Sequence, residues 1–211
     1  MLRKLIKYTL IASVVFLLGY KSVYFRKLSS FQQAGKENFD AVSFTDKLVA
    51  ERFPARLDSA VDLNELIHAV ETDPANAFAR YFNAIDIGNS RYCIIKTTAT
   101  VASIAEDRIM LQVNHADSLL SLQLETEYIY GNAIRDASEL VDIKDFVNTM
   151  DLNHISEELN KMVRTTILPP FKKQVKTGDK VEVTAAMEIN REHIRFNQQK
   201  LIPVRLKIIS W

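Results

Sequence analysis

Two pairs of a histidine and a carboxylate have spacings that suit chemistry. His115 and Asp117 are separated by one residue, and His154 and Glu158 are four residues apart, on one face of a predicted helix. An imidazole beside a carboxylate is the unit that general acid–base catalysis uses, and either pair supplies two of the ligands that a zinc site needs. A hydrolase that uses His115/Asp117 or His154/Glu158 is therefore one alternative interpretation.

The surroundings of both pairs favour structural roles instead. His115 and Asp117 fall in a predicted hairpin turn, where Asn and Asp are common, and His154 lies near the start of a helix whose acids suit the helix dipole. The sequence contains no H-E-x-x-H, no G-x-S-x-G, no phosphate-binding glycine loop and no cysteine–histidine nucleophile pair. The principal interpretation assigns no catalytic residue, no metal ligand and no cofactor.

The stretch at 131–137 ends the longest alternating pattern of the chain and leads into its clearest helices. The candidate site residues here are Gly131, Asn132, Arg135, Asp136, Phe146 and Asn148. One interpretation is ligand contact at the mouth of a barrel. The preferred one is a structural lock, in which a glycine permits the bend and polar side chains satisfy backbone groups at the junction.

Basic side chains near the C-terminus predict a positively charged rim, which OB barrels use to bind nucleic acid. Its members are Lys172, Lys173, Lys176, Arg191, Arg195 and Lys200. The nearby strands carry few aromatic residues, so a solvated face or contact with anionic lipid headgroups is the better interpretation. A nucleic-acid-binding module remains a further alternative.

The 211 residues, 47% hydrophobic and 25% charged, predict an ordinary globular protein. The net charge of +1 gives no overall field for a polyanionic partner. A single cysteine, Cys93, excludes an intrachain disulfide, and its place in an apolar strand pattern predicts a buried thiol.

Residues 1–27 predict an uncleaved membrane anchor. Arg3, Lys4 and Lys7 precede an uncharged run from 8 to 20, and snorkelling of Lys21 extends the usable helix to about residue 25. The run ends like the start of a bacterial lipoprotein box, but Tyr20 stands where the lipidated cysteine belongs. The short basic leader favours a single-pass protein of a bacterial inner membrane, with its folded part facing the periplasm.

Residues 28–87 predict a connector followed by a small helical subdomain. Ser43 is an expected cap of the first helix, which Pro54 ends. Asp62 begins a capping box, and Asp73 followed by Pro74 predicts a third helix start.

Residues 88–211 predict an OB-like barrel of five antiparallel strands. Apolar residues alternate around 93–101, 109–113 and 120–130, and again around 181–189 and 202–208, with a helical insertion at 139–177 between strands three and four. Pro203 predicts a strand start or an edge for its strand. The predicted class is thus α+β, with an open five-stranded sheet covered by helices on one face as the alternative.

Several motifs together resemble an uncharacterised bacterial family of predicted periplasmic lipoproteins, often encoded beside sugar-uptake transporters. The matching pieces are Gly131-Asn132-Ala133-Ile134-Arg135-Asp136-Ala137, Asp145-Phe146 with Asn148, Leu159-Asn160 and Ile202-Pro203-Val204. The resemblance implies a helical subdomain joined to an OB-like barrel, and no known activity. Tyr20 departs from the lipidated cysteine of the family, and Thr126-Glu127 stands where a Gly-Pro pair is expected.

The sequence therefore predicts a membrane-anchored extracytoplasmic binding or accessory protein without catalytic activity, linked to solute uptake. Its expected partners are the membrane, through the N-terminal helix, and a membrane protein or small molecule, but not nucleic acid.

Overall fold

The computed structural model describes residues 6–9, 13, 39–83 and 88–209. The chain divides into two units, residues 1–39 and 40–211. In the first unit residues 6–9 and 13 are helical, and most of the predicted anchor at 1–27 lies outside the described residues. Within the described part of the chain, no helix is both long and apolar enough to cross a bilayer.

Four helices open the second unit, each started by sequence features that favour a helix terminus. They are α1 (Ala41–Glu51), α2 (Phe53–Asp58), α3 (Leu63–Thr72) and α4 (Pro74–Tyr81). Asp62 and Asp73 cap α3 and α4 as predicted. The prediction for Ser43 was wrong: Asp40 caps α1 by accepting the Ser43 backbone N–H at 3.0 Å.

Six strands form one sheet: β1 (Val61–Asp62), β2 (Ser90–Ile104), β3 (Arg108–His115), β4 (Ser118–Glu125), β5 (Lys180–Asn190) and β6 (Gln199–Ile209). Their order is β1-β2-β3-β4-β6-β5, and β5 pairs again with β2. The five strands β2, β3, β4, β6 and β5 therefore form a closed ring of pairings.

The prediction of an all-antiparallel arrangement was wrong. β4 and β6 run parallel, with Leu122 opposite Gln199 and Leu124 opposite Leu201, and the short β1 runs parallel to β2. The physical reason for the first is parity. Five strands in a ring cannot alternate in direction all the way round, so at least one neighbouring pair must be parallel.

A helical crossover joins β4 to β5. It contains α5 (Ala133–Ser138), a 3-10 turn (Ile143–Asp145), α6 (Thr149–Met162), a π-helical turn (Val163–Ile167) and α7 (Leu168–Gln174). Pro169 and Pro170 lie in the first turn of α7, where a backbone N–H is not required.

The largest cluster of buried apolar residues lies between the inner face of the sheet and the helices α3, α4 and α7. The alternating residues of β2, including Cys93, Ile95 and Val101, are buried as predicted. Ile94 points the other way and is also buried, because α5 packs against β2 and β5. This second buried side explains why the period-two pattern of β2 is blurred.

Two strand predictions need correction. The third strand was expected to reach 130, but β4 ends at Glu125, the partner of the first residue of β3, Arg108. Pro203 was expected at a strand start or an edge. It lies inside β6, beside a β-bulge and past the last residue paired with β4, where a missing N–H costs little.

Candidate functional site

The predicted motif at 131–137 forms a buried polar junction between the sheet and the crossover. The Arg135 Nε donates to the Asp136 Oδ1 at 2.7 Å, and the Asn132 Nδ2 donates to Oδ2 of the same carboxylate at 2.5 Å. The Arg135 guanidinium also donates to the Leu152 carbonyl at 3.2 Å, which fastens α5 to α6. Both charged side chains are almost fully buried.

Backbone groups of the junction are satisfied by side chains from distant parts of the chain. Asn83 donates to the Asp136 carbonyl at 2.8 Å, and Asn160 donates to the Gly131 carbonyl at 2.7 Å. Gly131 has φ +79°, the left-handed conformation for which a glycine was expected. These contacts join α5 and α6 to Asn83, whose backbone pairs with β2, at one point. We keep the name lock for this cluster of Asn83, Gly131, Asn132, Arg135, Asp136 and Asn160.

Burial raises the pKa of Asp136, and this effect outweighs the opposite effects of Arg135 and Asn132. A buried carboxylate is costly unless its partners are well placed, which explains why the junction supplies a guanidinium and an amide at short distance.

The other two candidate site residues, Phe146 and Asn148, lie in the connection between the 3-10 turn and α6. Phe146 makes an edge-on contact with Phe44 of α1, with ring centroids 5.7 Å apart. Asn148 caps α6 by accepting the Asp151 backbone N–H at 3.0 Å. They hold the crossover onto the first helix and start its longest helix.

The two histidine–carboxylate pairs have other contacts. The Nδ1 of His115 lies 2.8 Å from Oδ1 of Asn64, while the carboxylate of Glu158 accepts from Lys161 at 2.9 Å. The described residues contain no group of three His, Cys, Asp or Glu side chains that would hold a metal ion.

A groove of about 580 Å³ lies where OB folds bind ligands, between the β2–β3 turn and the β5–β6 connection. Its polar and aromatic lining residues are Asp107, Arg108, Glu125, Tyr128, Glu188, Asn190, Gln198, Gln199 and Lys200. We call this site the OB groove. Of the predicted basic rim, only Lys200 lines it.

Glu125 is the least ordinary residue of the OB groove. Its side chain is only 9% exposed, yet its ionic partner is the 70% exposed Lys200, at 3.4 Å. A carboxylate at the end of a strand, held by one exposed lysine, keeps acceptor capacity for a ligand.

The opposite wall of the OB groove carries a second carboxylate, Glu188, which accepts from the Ser90 hydroxyl at 2.6 Å. Tyr92 lies directly across the β2–β5 pairing from it. Burial, with the negative charges of Glu188 and Asp136, raises the pKa of Tyr92.

The sequence did not reveal the OB groove, because its lining comes from four separate segments of the chain. Glu188 and Lys200 each look like the solvent-facing residue of an alternating strand. One hint of a binding surface was available in the sequence, an aromatic residue, Tyr128, close to the end of a predicted strand. In the structure its side chain is 62% exposed.

Comparison with known proteins agrees with this architecture. The chain matches the family described as predicted periplasmic lipoprotein (DUF2291) over residues 13–207. It belongs to this family. The prediction from the sequence motifs is confirmed, and membership supports an extracytoplasmic location for this lipoprotein-family chain. No curated protein matches it.

Among solved structures, the lipoprotein-family chain is similar to an OB-fold protein from Thermotoga maritima. The two are 24% identical with a TM-score of 0.71, and the match covers 82% of this chain and 100% of the other. At this identity the likeness shows the fold alone, and it supports the OB-like part of the predicted architecture.

Proposed function

We propose that this protein is an extracytoplasmic binding module that holds a polyhydroxylated solute, of the carbohydrate class, in the OB groove. The observation that carries the proposal is the charge and chemistry of that groove. Three carboxylates (Asp107, Glu125 and Glu188) face two cations (Arg108 and Lys200) beside an exposed tyrosine.

Sugar hydroxyls both donate and accept hydrogen bonds, so they suit a wall that mixes carboxylates, amides and cations. Glu125 and Glu188 accept, whereas Lys200 and the amides of Asn190 and Gln198 donate. Tyr128 offers an apolar ring face to the C–H face of a pyranose. OB folds bind oligosaccharides with this same part of the fold.

The same charge balance weighs against the nucleic-acid alternative. A protein binds nucleic acid by neutralising the phosphates with Lys and Arg side chains, and much of its affinity comes from this electrostatic attraction. The OB groove has more carboxylates than cations. A phosphate chain would meet repulsion there.

Binding without turnover is the proposed role, as an accessory to solute uptake. This link to uptake follows the genomic neighbourhood that the family resemblance implies. The contacts of His115 with Asn64 and of Glu158 with Lys161 favour structural roles for the residues of the hydrolase alternative.

We also propose that the apolar N-terminal run, and not a lipid, holds the protein at the inner membrane. Tyr20 stands at the expected lipidation position, and the single cysteine, Cys93, is fully buried in β2. Membrane fractions of cells that make the full chain should contain it without incorporated labelled palmitate. Deletion of residues 1–27 should release a folded, soluble domain; acylated protein, or an aggregated deletion variant, would contradict the proposal.

Binding is tested by calorimetric titration of the full chain, in a detergent without a sugar headgroup, with neutral oligosaccharides and with single-stranded DNA. We expect heat from an oligosaccharide and none from DNA. Tyr128→Ala should weaken binding by about 1 kcal/mol. Glu182→Gln, on an exposed position of β5 outside the OB groove, is the matched control. Binding of DNA alone, or equal loss in the control, would reject the proposal.

A further inference from the structure

A second polar cleft, of about 470 Å³, lies beside the lock and shares none of the lining of the OB groove. One face of α6 supplies Asn153, Ser156, Glu157 and Asn160; the loop Tyr130–Asn132 and Arg164 complete the cleft. The neighbouring face of α6 carries the buried Leu152, Ile155 and Leu159. We call this site the α6 cleft.

Asn160 is the unusual member of the α6 cleft, because it is 4% exposed and only half satisfied. Its Nδ2 donates to the Gly131 carbonyl at 2.7 Å. Since a carbonyl can only accept, this bond fixes the orientation of the amide, and the free atom must be the oxygen. Among the described residues, the Asn160 Oδ1 is one of two buried polar side-chain atoms without a partner.

Such an atom is rare in folded proteins, where buried polar groups are nearly always paired. A carbonyl-type oxygen pairs with a hydrogen-bond donor, or with a hard cation that several further oxygen ligands hold. The α6 cleft contains one carboxylate, Glu157, so a donor is the better partner. The unpaired Asn160 oxygen therefore points to a ligand that presents a hydroxyl or an N–H.

Arg164 supplies the complementary donors. Its guanidinium lies 5.6 Å from the centre of the Tyr130 ring, and its NH1 donates to the Ile129 carbonyl at 2.5 Å. Arg164 lines the α6 cleft, and a guanidinium carries five N–H donors. Arg164 belongs to the π-helical turn at Val163–Ile167, a feature that often marks functional sites.

We propose that the α6 cleft is a second binding site, for a neutral, polyhydroxylated ligand of monosaccharide size. A ligand hydroxyl donates to the Asn160 oxygen and another accepts from Arg164, while the exposed Tyr130 borders the ligand. The charges of Glu157 and Arg164 balance, which favours an uncharged ligand. The ligand class rests on the proposed function, but the site does not, because its evidence is independent of the OB groove.

Two tyrosines separated by one residue provide matched variants. Tyr128 and Tyr130 are exposed to a similar extent, 62% and 67%, yet Tyr128 lines the OB groove and Tyr130 the α6 cleft. Asparagine side chains provide the readout, since Asn132, Asn153 and Asn160 report on the cleft and Asn190 reports on the groove.

The full chain, labelled with ¹⁵N-asparagine and held in a detergent without sugar, is titrated with neutral monosaccharides and followed by its side-chain amide signals. We expect at least one monosaccharide to shift the signal of Asn160. Tyr130→Ala should raise the Kd obtained from this titration about tenfold, while Tyr128→Ala leaves that Kd unchanged. Arg164→Gln, which removes the charge and most of the donors, should raise it as well.

The outcomes separate the two sites. An unmoved Asn160 signal at saturating monosaccharide, or a shift that survives Tyr130→Ala and Arg164→Gln, overturns the α6 cleft, as does a crystal structure with only an ordered water on the Asn160 oxygen. An Asn190 signal that no oligosaccharide moves refutes the OB groove and leaves the α6 cleft standing.

Discussion

Two ion pairs of the second unit differ in almost every respect. Arg135 and Asp136 are 2.7 Å apart, with side chains 6% and 2% exposed. Glu125 and Lys200 are 3.4 Å apart, and the lysine is 70% exposed. The first pair is enclosed by amide and carbonyl partners, whereas the second opens onto the OB groove.

The difference distinguishes charged residues that stabilise the fold from charged residues that can bind a ligand. The charges of a pair buried on both sides are compensated inside the protein and out of reach of a ligand, and removing one partner leaves the other charge buried and unpaired. A buried carboxylate whose partner is a flexible surface lysine can exchange that partner at small cost. Burial alone does not distinguish the two pairs; the exposure of the partner does.

The largest expected effect is on stability, from Arg135→Ala. It should lower the free energy of unfolding by about 3–5 kcal/mol, because the Asp136 carboxylate loses its charged partner in a buried site. Urea unfolding followed by circular dichroism measures it. Lys200→Ala is the control and should cost no more than about 1 kcal/mol. Similar losses in the two variants would erase the distinction between the pairs.

The next effect is on binding, from Glu125→Gln. The amide keeps the shape but loses the charge, so affinity for an oligosaccharide should fall by about 1.5–3 kcal/mol, the contribution of a hydrogen bond to a charged group. The urea midpoint should change little. Calorimetric titration checks the affinity; a large loss of stability with unchanged affinity would make Glu125 a structural residue like Asp136.

A smaller effect concerns pH and compares wild type with Asp136→Asn. The pKa of Asp136 is raised in the folded state above 3.8, so the folded state takes up this proton first on acidification. Its contribution to stability is complete below pH 3.8 and is lost as the pH rises through the folded pKa. Relative to Asp136→Asn, wild type should therefore lose stability as the pH rises from 3.8, and a difference that stays flat with pH would contradict this.

The smallest expected signal is from Cys93, a buried group outside both pairs. Burial raises the pKa of its thiol far above the usual range. Ellman's reagent should leave it unmodified in the folded protein and react quickly in 6 M guanidinium. Rapid reaction of the folded protein would show that β2 opens locally, and would weaken any argument from burial in this sheet.

Local features of the fold were predictable from the sequence, and features that depend on ring closure were not. Asp62 and Asp73 predicted two helix starts, and the alternation of apolar with polar residues predicted the buried inner face of β2. The parallel pairing of β4 with β6 has no local signal, although the odd number of strands required a parallel pair somewhere.

The candidate sites divide in the same way. The lock could be found because its motif is contiguous and needs a glycine at positive φ. The OB groove and the α6 cleft could not, since each gathers residues that are ordinary in their own segments. The sequence indicated Asn160 only as part of a motif. That its amide donates to the Gly131 carbonyl and leaves its oxygen unpaired is visible only in the folded structure.

The parallel pairing also has a consequence for the order of folding. The hairpin of β3 and β4 is local, but Leu122 meets Gln199 only after the whole crossover and β5 have been made. Contacts between distant parts of a chain form slowly, because the loop must close before they repay its entropy. The OB groove is lined by residues of β4 and β6, which pair last. A chain whose synthesis is incomplete, or one truncated before β6, therefore lacks this site even when its hairpin and helices are formed.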